Sequence, residues 1–477
     1  MSADVSTPTS RGVIPILLIA SFVVILNETT MNVALTSIMG DFGVTERSAQ
    51  WLTTAFMLTM AVVIPITGWL LDRLPTRRVF MIAMSLFSLG TLLCMIAPSF
   101  SLLLVGRVVQ ASGTAMMMPL LMTTIMQLVP PGERGKTMGN ISMVIAVAPA
   151  VGPTLSGVIL QVGSWRLIFG VVLPIALAML ALGAMRLRNV NELKRTPLDL
   201  ISVPLSVLAF GPLIYGLSVV GAEDVAFWVP MLAIGVGLGS LLAFMARQFV
   251  LQGRGAAFLD LRTFTSQPFT VSVIMMSIAM MALFGTVIML PLILQRAFGW
   301  EPVSVGLMML PGGIAMGLLG PVIGRLYDRV GPKVLVVPAS FVVLAVFLFF
   351  STITLDTPGW AIMAGHIAMS VSFACIFTPL FTGALGSLPR HLYSHGSAVI
   401  GAVQQVAGAA GTALFVTIFS MQTAAARSAG FPEGEAMLVG SHWAFLGAGA
   451  IWTAAVVAGF FLRKPVDDAD APAPMPH

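Results

Sequence analysis

Long apolar runs separated by short polar links fill this chain almost from end to end. A helix needs ~20 mostly apolar residues to cross the hydrocarbon core of a bilayer. Fourteen runs meet that length: 13–37, 50–72, 79–97, 101–128, 137–161, 167–186, 198–220, 226–246, 268–294, 302–324, 334–354, 359–384, 396–424 and 441–462. Inside lipid every backbone N–H and C=O must be paired within its own segment, so these runs predict helices. The expected fold class is all-α integral membrane.

The links carry a repeat. Residues 65–78 read PITGWLLDRLPTRR, and residues 321–333 read PVIGRLYDRVGPK. The two align without a gap at a spacing of 256, which pairs Gly68 with Gly324, Asp72 with Asp328, Arg73 with Arg329 and Arg77 with Lys333. Such a self-match signals an internal duplication, and duplicated halves are the usual build of a secondary transporter. Spans 1–6 and 9–14 form the halves, and spans 7 and 8 are a pair inserted between them. The expected division is a cytoplasmic tail (1–12), a first six-helix half (13–189), an inserted pair with its links (190–262), a second half (263–464) and a disordered cytoplasmic tail (465–477).

Composition agrees. Only 9% of the residues are charged, against roughly 25% in soluble domains. With the N-terminus inside, 19 of the 24 Lys and Arg fall in inside links, four (Arg47, Arg166, Arg296, Arg427) lie outside, and Arg107 sits within a span. That asymmetry places both termini in the cytoplasm and accounts for the net charge of +5 without nucleic acid. Cys94 and Cys375 both lie in apolar runs and make no disulfide framework. No Walker-type segment or metal-ligand cluster is present in the sequence, so neither direct ATP drive nor a bound cofactor is expected.

Five stretches carry a resemblance. Leu26–Leu35 reads LNETTMNVAL, Trp51–Gly68 reads WLTTAFMLTMAVVIPITG, Arg107–Pro119 reads RVVQASGTAMMMP, Gly152–Gly157 reads GPTLSG, and Ser164–Phe169 reads SWRLIF. In this order, with fourteen spans, the chain resembles the major facilitator superfamily in its 14-span drug:proton antiporter branch. There are departures. Asn27 stands where the branch has Asp, with an acid one residue later at Glu28; Pro75 replaces a loop Gly, Ala111 the Gly after Gln, and Ser156 one Gly of the fifth-span motif. The step from residue 27 to 28 turns the acid by ~100° around the helix.

The resemblance implies a 6 + 2 + 6 major facilitator fold and export driven by a proton gradient. It also implies a latch formed by Gly68, Asp72, Arg73, Arg77, Gly324, Asp328 and Arg329. Loop charge that merely orients the protein is the plainer account of the arginines, but not of an Asp repeated in register. Gly152, Pro153 and Gly157 are expected to shape a hinge and packing helix, with Gly152 meeting Gly408 at the 256 spacing. Glu28 and Arg107, the acid and the Arg set well inside spans, are candidates for proton coupling; a static pair tying two helices is the alternative. Candidate cavity residues are Asn27, Asn32, Gln110, Met117, His366, Gln404 and Gln405, each of which could instead serve packing or bridge helices.

The expected function is proton-coupled multidrug efflux of amphipathic, often cationic, small molecules, with no enzyme activity. Alternatives are export of one metabolite or antibiotic, and a non-transporting sensor or assembly factor on the same fold. The expected partners are substrate, protons and lipid, and the expected state is a monomer in a bacterial plasma membrane.

Overall fold

Each of the fourteen apolar runs is a helix. In chain order they are α1 (Ser10–Phe42), α2 (Glu46–Arg73), α3 (Thr76–Met95), α4 (Phe100–Leu128), α5 (Arg134–Val162), α6 (Arg166–Arg186), α7 (Ser202–Val219), α8 (Trp228–Gln252), α9 (Gln267–Arg296), α10 (Pro302–Val330), α11 (Pro332–Ser351), α12 (Gly359–Gly386), α13 (Tyr393–Ser428) and α14 (Glu433–Gly459). All fourteen are long and apolar enough to span a membrane. The structure, a computed structural model, describes residues 10–190, 199–220 and 225–464, without the side chains of Ser10, Arg11, Asn32, Glu46, Arg47, Ala150 and Pro153. The tails 1–9 and 465–477 and the links 191–198 and 221–224 lie outside the described residues. Among the described residues there is no strand.

Local chemistry sets the helix ends. Thr45, Ser99 and Ser266 accept backbone N–H groups of Ser48, Leu102 and Phe269, which caps α2, α4 and α9. Pro302 and Pro332 open α10 and α11, where a missing N–H costs nothing. Gly331 joins these two helices at φ +78°, a conformation that side chains resist.

The first half packs α1 on α5 and α3 on α4 and α6; the second packs α9 on α13 and α11 on α12 and α14. Its core is an aromatic cluster in which Phe347 lies 6.2 Å from Trp452 and Phe350 5.3 Å from Phe445. The inserted helices α7 and α8 pack on one another through Gly216 and Gly237, where an added Cβ would meet backbone at 2.9 Å and 2.6 Å. The pair leans on α2 and α13 through α7, with Tyr215 stacked on Trp51 at 5.8 Å. The halves meet along α5 with α10 and α2 with α13.

Arg73, Lys136, Arg262, Arg329 and Lys464 all lie at one end of the bundle, the basic end. At the far end Asp41 of α1 accepts hydrogen bonds from Arg166 (2.6 Å) and Trp165 (3.1 Å). These bonds, Arg166 first, hold its carboxyl below the usual carboxylate range.

α2–α3 match α10–α11 at a spacing of 256. The link from α11 to α12 (352–358, seven residues) is three longer than that from α3 to α4 (96–99, four residues), so α4–α5 match α12–α13 at 259. The counterpart of Gly152 is therefore Gly411, not Gly408. Packing agrees: Gly152 lies tight against Thr29 of α1, and Gly411 against the Met281 carbonyl of α9.

Candidate functional site

Two polar sites stand out, one inside the first half and one where the halves join. Arg107 of α4 is 1% exposed. Its Nη1 donates to Gln110 Oε1 at 2.6 Å and, at the long limit of 3.5 Å, to Asn27 Oδ1. Its Nε points to the Leu52 carbonyl, also at 3.5 Å, and its guanidinium lies 4.1 Å from the Phe56 ring centre. Gln110 Nε2 continues the relay to Thr91 Oγ1 at 2.8 Å. The cation is thus cradled by α1, α2 and α4, with α3 reached through Gln110, and its hydrogen bonds among the described residues go to neutral groups.

Glu28 is half-buried on α1. It makes no hydrogen bond or ion pair with any described residue, so the direct Glu28–Arg107 pair open in the sequence does not form. The cause is angular: Asn27 takes the face toward Arg107, and Glu28 is turned ~100° from it. Gln110 is fully buried and bridges α4 to α3 instead of lining an open space.

The second half repeats the Arg107 cradle in altered chemistry. His366 occupies in α12 the place of Arg107 in α4, and Gly312 in α10 the place of Phe56 in α2. A Cβ at Gly312 would stand 2.4 Å from His366 Nδ1. That nitrogen is buried without a hydrogen-bond partner. Gln404 is half-buried, its Nε2 likewise unpartnered, and Gln405 is half-buried. Met117 is fully buried in the core of the first half. The side chains of Asn32 and Pro153 lie outside the described residues.

At the basic end the loop aspartates cross over. Asp328 of α10 accepts the backbone N–H groups of Gly135 (2.8 Å) and Lys136 (3.0 Å), in the first turn of α5. These are donors that a helix leaves unpaired, and a carboxylate suits the positive end of the helix dipole. Asp72 of α2 meets the equivalent residues of α13: Ser394 donates to its Oδ1, and His395 Nε2 lies 3.4 Å from its Oδ2. Each half thus holds the first turn of the other's fifth helix. Thr123 donates to Ser397 (3.1 Å) and Thr378 to Ser142 (2.7 Å) across the same junction.

The α5–α10 contact is backbone on backbone. Added Cβ atoms would lie 2.3 Å from the Gly320 carbonyl oxygen at Gly139, and 2.0 Å from that of Gly135 at Gly324. Toward the far end the fit relaxes, and Gly157 has nothing near it. At the basic end the halves are in direct contact. Arg77 is tied within its own half, to the Ala184 carbonyl of α6, and Arg329 is exposed. The halves are thus bridged here through the aspartates, while Arg77 serves its own bundle.

The family model described as Major Facilitator Superfamily matches residues 17–412. The chain belongs to the major facilitator superfamily. Among its relatives, "Lincomycin resistance protein LmrB" of Bacillus subtilis is 35% identical over 94% of this chain and 95% of its own length. "Multidrug export protein EmrB" of Haemophilus influenzae is 30% identical over 83% and 78%. The crystal structure of the human organic anion transporter MFSD10 (TETRAN) superposes with a TM-score of 0.69 over 96% of this chain and all of its own, at 14% identity. The chain is therefore a multi-pass membrane transporter of this superfamily with antibiotic- and multidrug-resistance relatives.

In this facilitator, sequence reasoning missed Thr91, Gly135, Gly139, Gly320, Ser394 and His395. The glycines had a readable signal, because Gly135–Gly139 and Gly320–Gly324 both have the G-x-x-x-G spacing of close membrane helices. The others had none, being single polar residues whose partners lie on distant helices.

Proposed function

We propose that this facilitator is a proton-coupled antiporter that exports amphipathic, often cationic, small molecules by alternating access. Its basic end faces the cytoplasm, by the distribution of Lys and Arg, so the structure represents the conformation closed to that side. The energy source is the proton gradient, with no bound cofactor, and the working unit is a monomer in the plasma membrane. The resistance relatives support drug export.

The observation that carries proton coupling is a membrane-embedded acid, Glu28, with no hydrogen bond among the described residues, in the same half as a buried cation whose described hydrogen bonds go to neutral groups. A membrane-embedded acid is functional by default. Arg107 is fixed by Asn27, Gln110 and Phe56, so among the described residues no carboxylate contacts it directly. A change in the spacing of α1 and α4 during rocking would alter how tightly Glu28 holds a proton. A cationic substrate near Glu28 favours proton release, which exchanges one cation for the other.

The test is Glu28→Gln in proteoliposomes. Uptake driven by a pH gradient falls to the level of empty liposomes, while substrate binding survives and loses its pH dependence. Transport of the variant against a substrate gradient under an imposed proton gradient would move the proton path elsewhere, with His366 the next position to test. The likeness to LmrB along nearly the whole chain favours a second reading, export of a single antibiotic class; a resistance panel in a pump-deleted host separates the two.

A further inference from the structure

The inserted pair is tied to the gate by the link that leaves α8. At the basic end Arg247 of α8 clamps Asp199, just before α7, through Nε (2.7 Å) and Nη2 (2.6 Å). Those hydrogen bonds hold the Asp199 carboxyl below the usual carboxylate range. One residue on, Gln248 is fully buried. Its Nε2 donates to Ser202 Oγ at 2.8 Å, and its Oε1 accepts the N–H groups of Phe258 (2.7 Å) and Leu259 (3.4 Å). The link is thereby folded back under α2 and α13.

Phe258 is fully buried there, 6.1 Å from the Trp69 ring of α2. Its carbonyl accepts from His395 Nδ1 at 2.9 Å, the residue whose other nitrogen faces Asp72. Gly68 makes the fit possible, since a Cβ there would stand 3.1 Å from Ala398 Cβ and 3.2 Å from the Phe258 carbonyl oxygen. Beyond Phe258, Asp260 is pinned by Arg262. Beside it is a cavity of ≈ 180 Å³ lined by Asp72, Gln252, Asp260, Arg262, His391 and His395.

The opposite seam closes differently. α5 and α10 meet through bare glycine backbone and the Asp328 cap, whereas at the α2–α13 seam the Phe258 carbonyl lies between Gly68 and His395, with its ring against Trp69. We propose that the link Gly253–Ser266 is a strap, anchored by Gln248 of the inserted pair, and that Phe258 must withdraw before the basic end opens. His395 is then a positioning residue that ties strap and Asp72 latch into one unit. The proposal rests on the rocking of the halves proposed above.

Thr123→Cys reports the opening, because Thr123 is buried against Ser397 of the other half. Cys375 is replaced by Ala, and Cys94, buried in α3, is kept as an internal reference. Membrane vesicles exposing the basic end are treated with a water-soluble maleimide. Of the bonds Gln248→Ala removes, the short one to the Phe258 N–H anchors the strap; its loss costs ~1 kcal/mol, so labelling at residue 123 speeds up by at least roughly fivefold, and in Phe258→Ala by a similar factor. Arg254→Ala, an exposed change in the same link, leaves the rate unaltered.

Labelling at the parent rate in Gln248→Ala, while Asp72→Asn speeds it, would reduce the strap to static packing. Faster labelling of Cys94 as well would mean general loosening and would also overturn the proposal. If residue 123 resists labelling even in Asp72→Asn, rocking itself fails, and the strap with it. Gln248→Ala keeps the question open to measurement should Phe258→Ala not fold.

Discussion

Among the described residues Arg107 hydrogen-bonds neutral groups, and the carboxylate nearest in sequence to its Asn27 contact is turned away. Moving the acid by one residue tests whether this angle matters. In the Glu28→Gln background, Asn27→Asp would place a carboxylate against Arg107. If the acid must face the guanidinium only at intervals, the double variant stays uncoupled, because a buried ion pair broken on one side costs ~3–5 kcal/mol and holds itself shut. The expected result is retained substrate binding without pH-gradient-driven uptake, measured in proteoliposomes. Full recovery of uptake would show that residue 27 and residue 28 are interchangeable. Both embedded charges were legible in the sequence, since charges within apolar runs are rare. Their failure to pair was not, because it depends on which face of α1 packs toward α4, and no local signal records that.

At the scale of elements, the α5–α10 seam and the two crossed caps make opposite demands on side chains. Gly139→Leu forces bulk into a backbone contact. Overpacking costs ~1–3 kcal/mol, so the closed-to-open ratio at the basic end falls by roughly 5- to 150-fold. Asp328→Asn removes a charged cap worth ~1 kcal/mol and shifts the same ratio by about fivefold. Cysteine accessibility at Thr123 measures both, and unchanged accessibility in Gly139→Leu would show that the seam is not the closing surface. The helices themselves were plain from their apolar lengths, and Asp72 and Asp328 from their repeated register. Their partners were not plain. Ser394 and His395 match Gly135 and Lys136 only at 259, a spacing hidden by the three extra residues before α12. Phe258 lies in a link with no motif at all, and its role arises from burial against Trp69 and His395.

Over the whole molecule, the crossed caps place Asp72, Asp328 and the strap at one end, and the Asp41–Arg166 clasp at the other. Cysteines introduced at Arg78 or Arg390 are expected to resist an impermeant thiol reagent in intact cells, and those at Glu301 or Pro432 to react. The reverse pattern would invert the proposed orientation and with it the direction of export. One consequence of the Arg107 cradle concerns how the chain is made. A lone Arg within a spanning helix disfavours insertion, by up to ~2.5–3.5 kcal/mol at the helix centre. Apart from Gln110 on its own helix, each partner in the relay—Asn27, Leu52, Phe56 and Thr91—precedes Arg107 in the sequence. Domains emerge from the ribosome N-terminal end first, so the groups that make this cation tolerable are already synthesised when α4 leaves the ribosome. The order of residues along the chain thus matches an order of assembly, in which the first three helices prepare the place that the fourth requires.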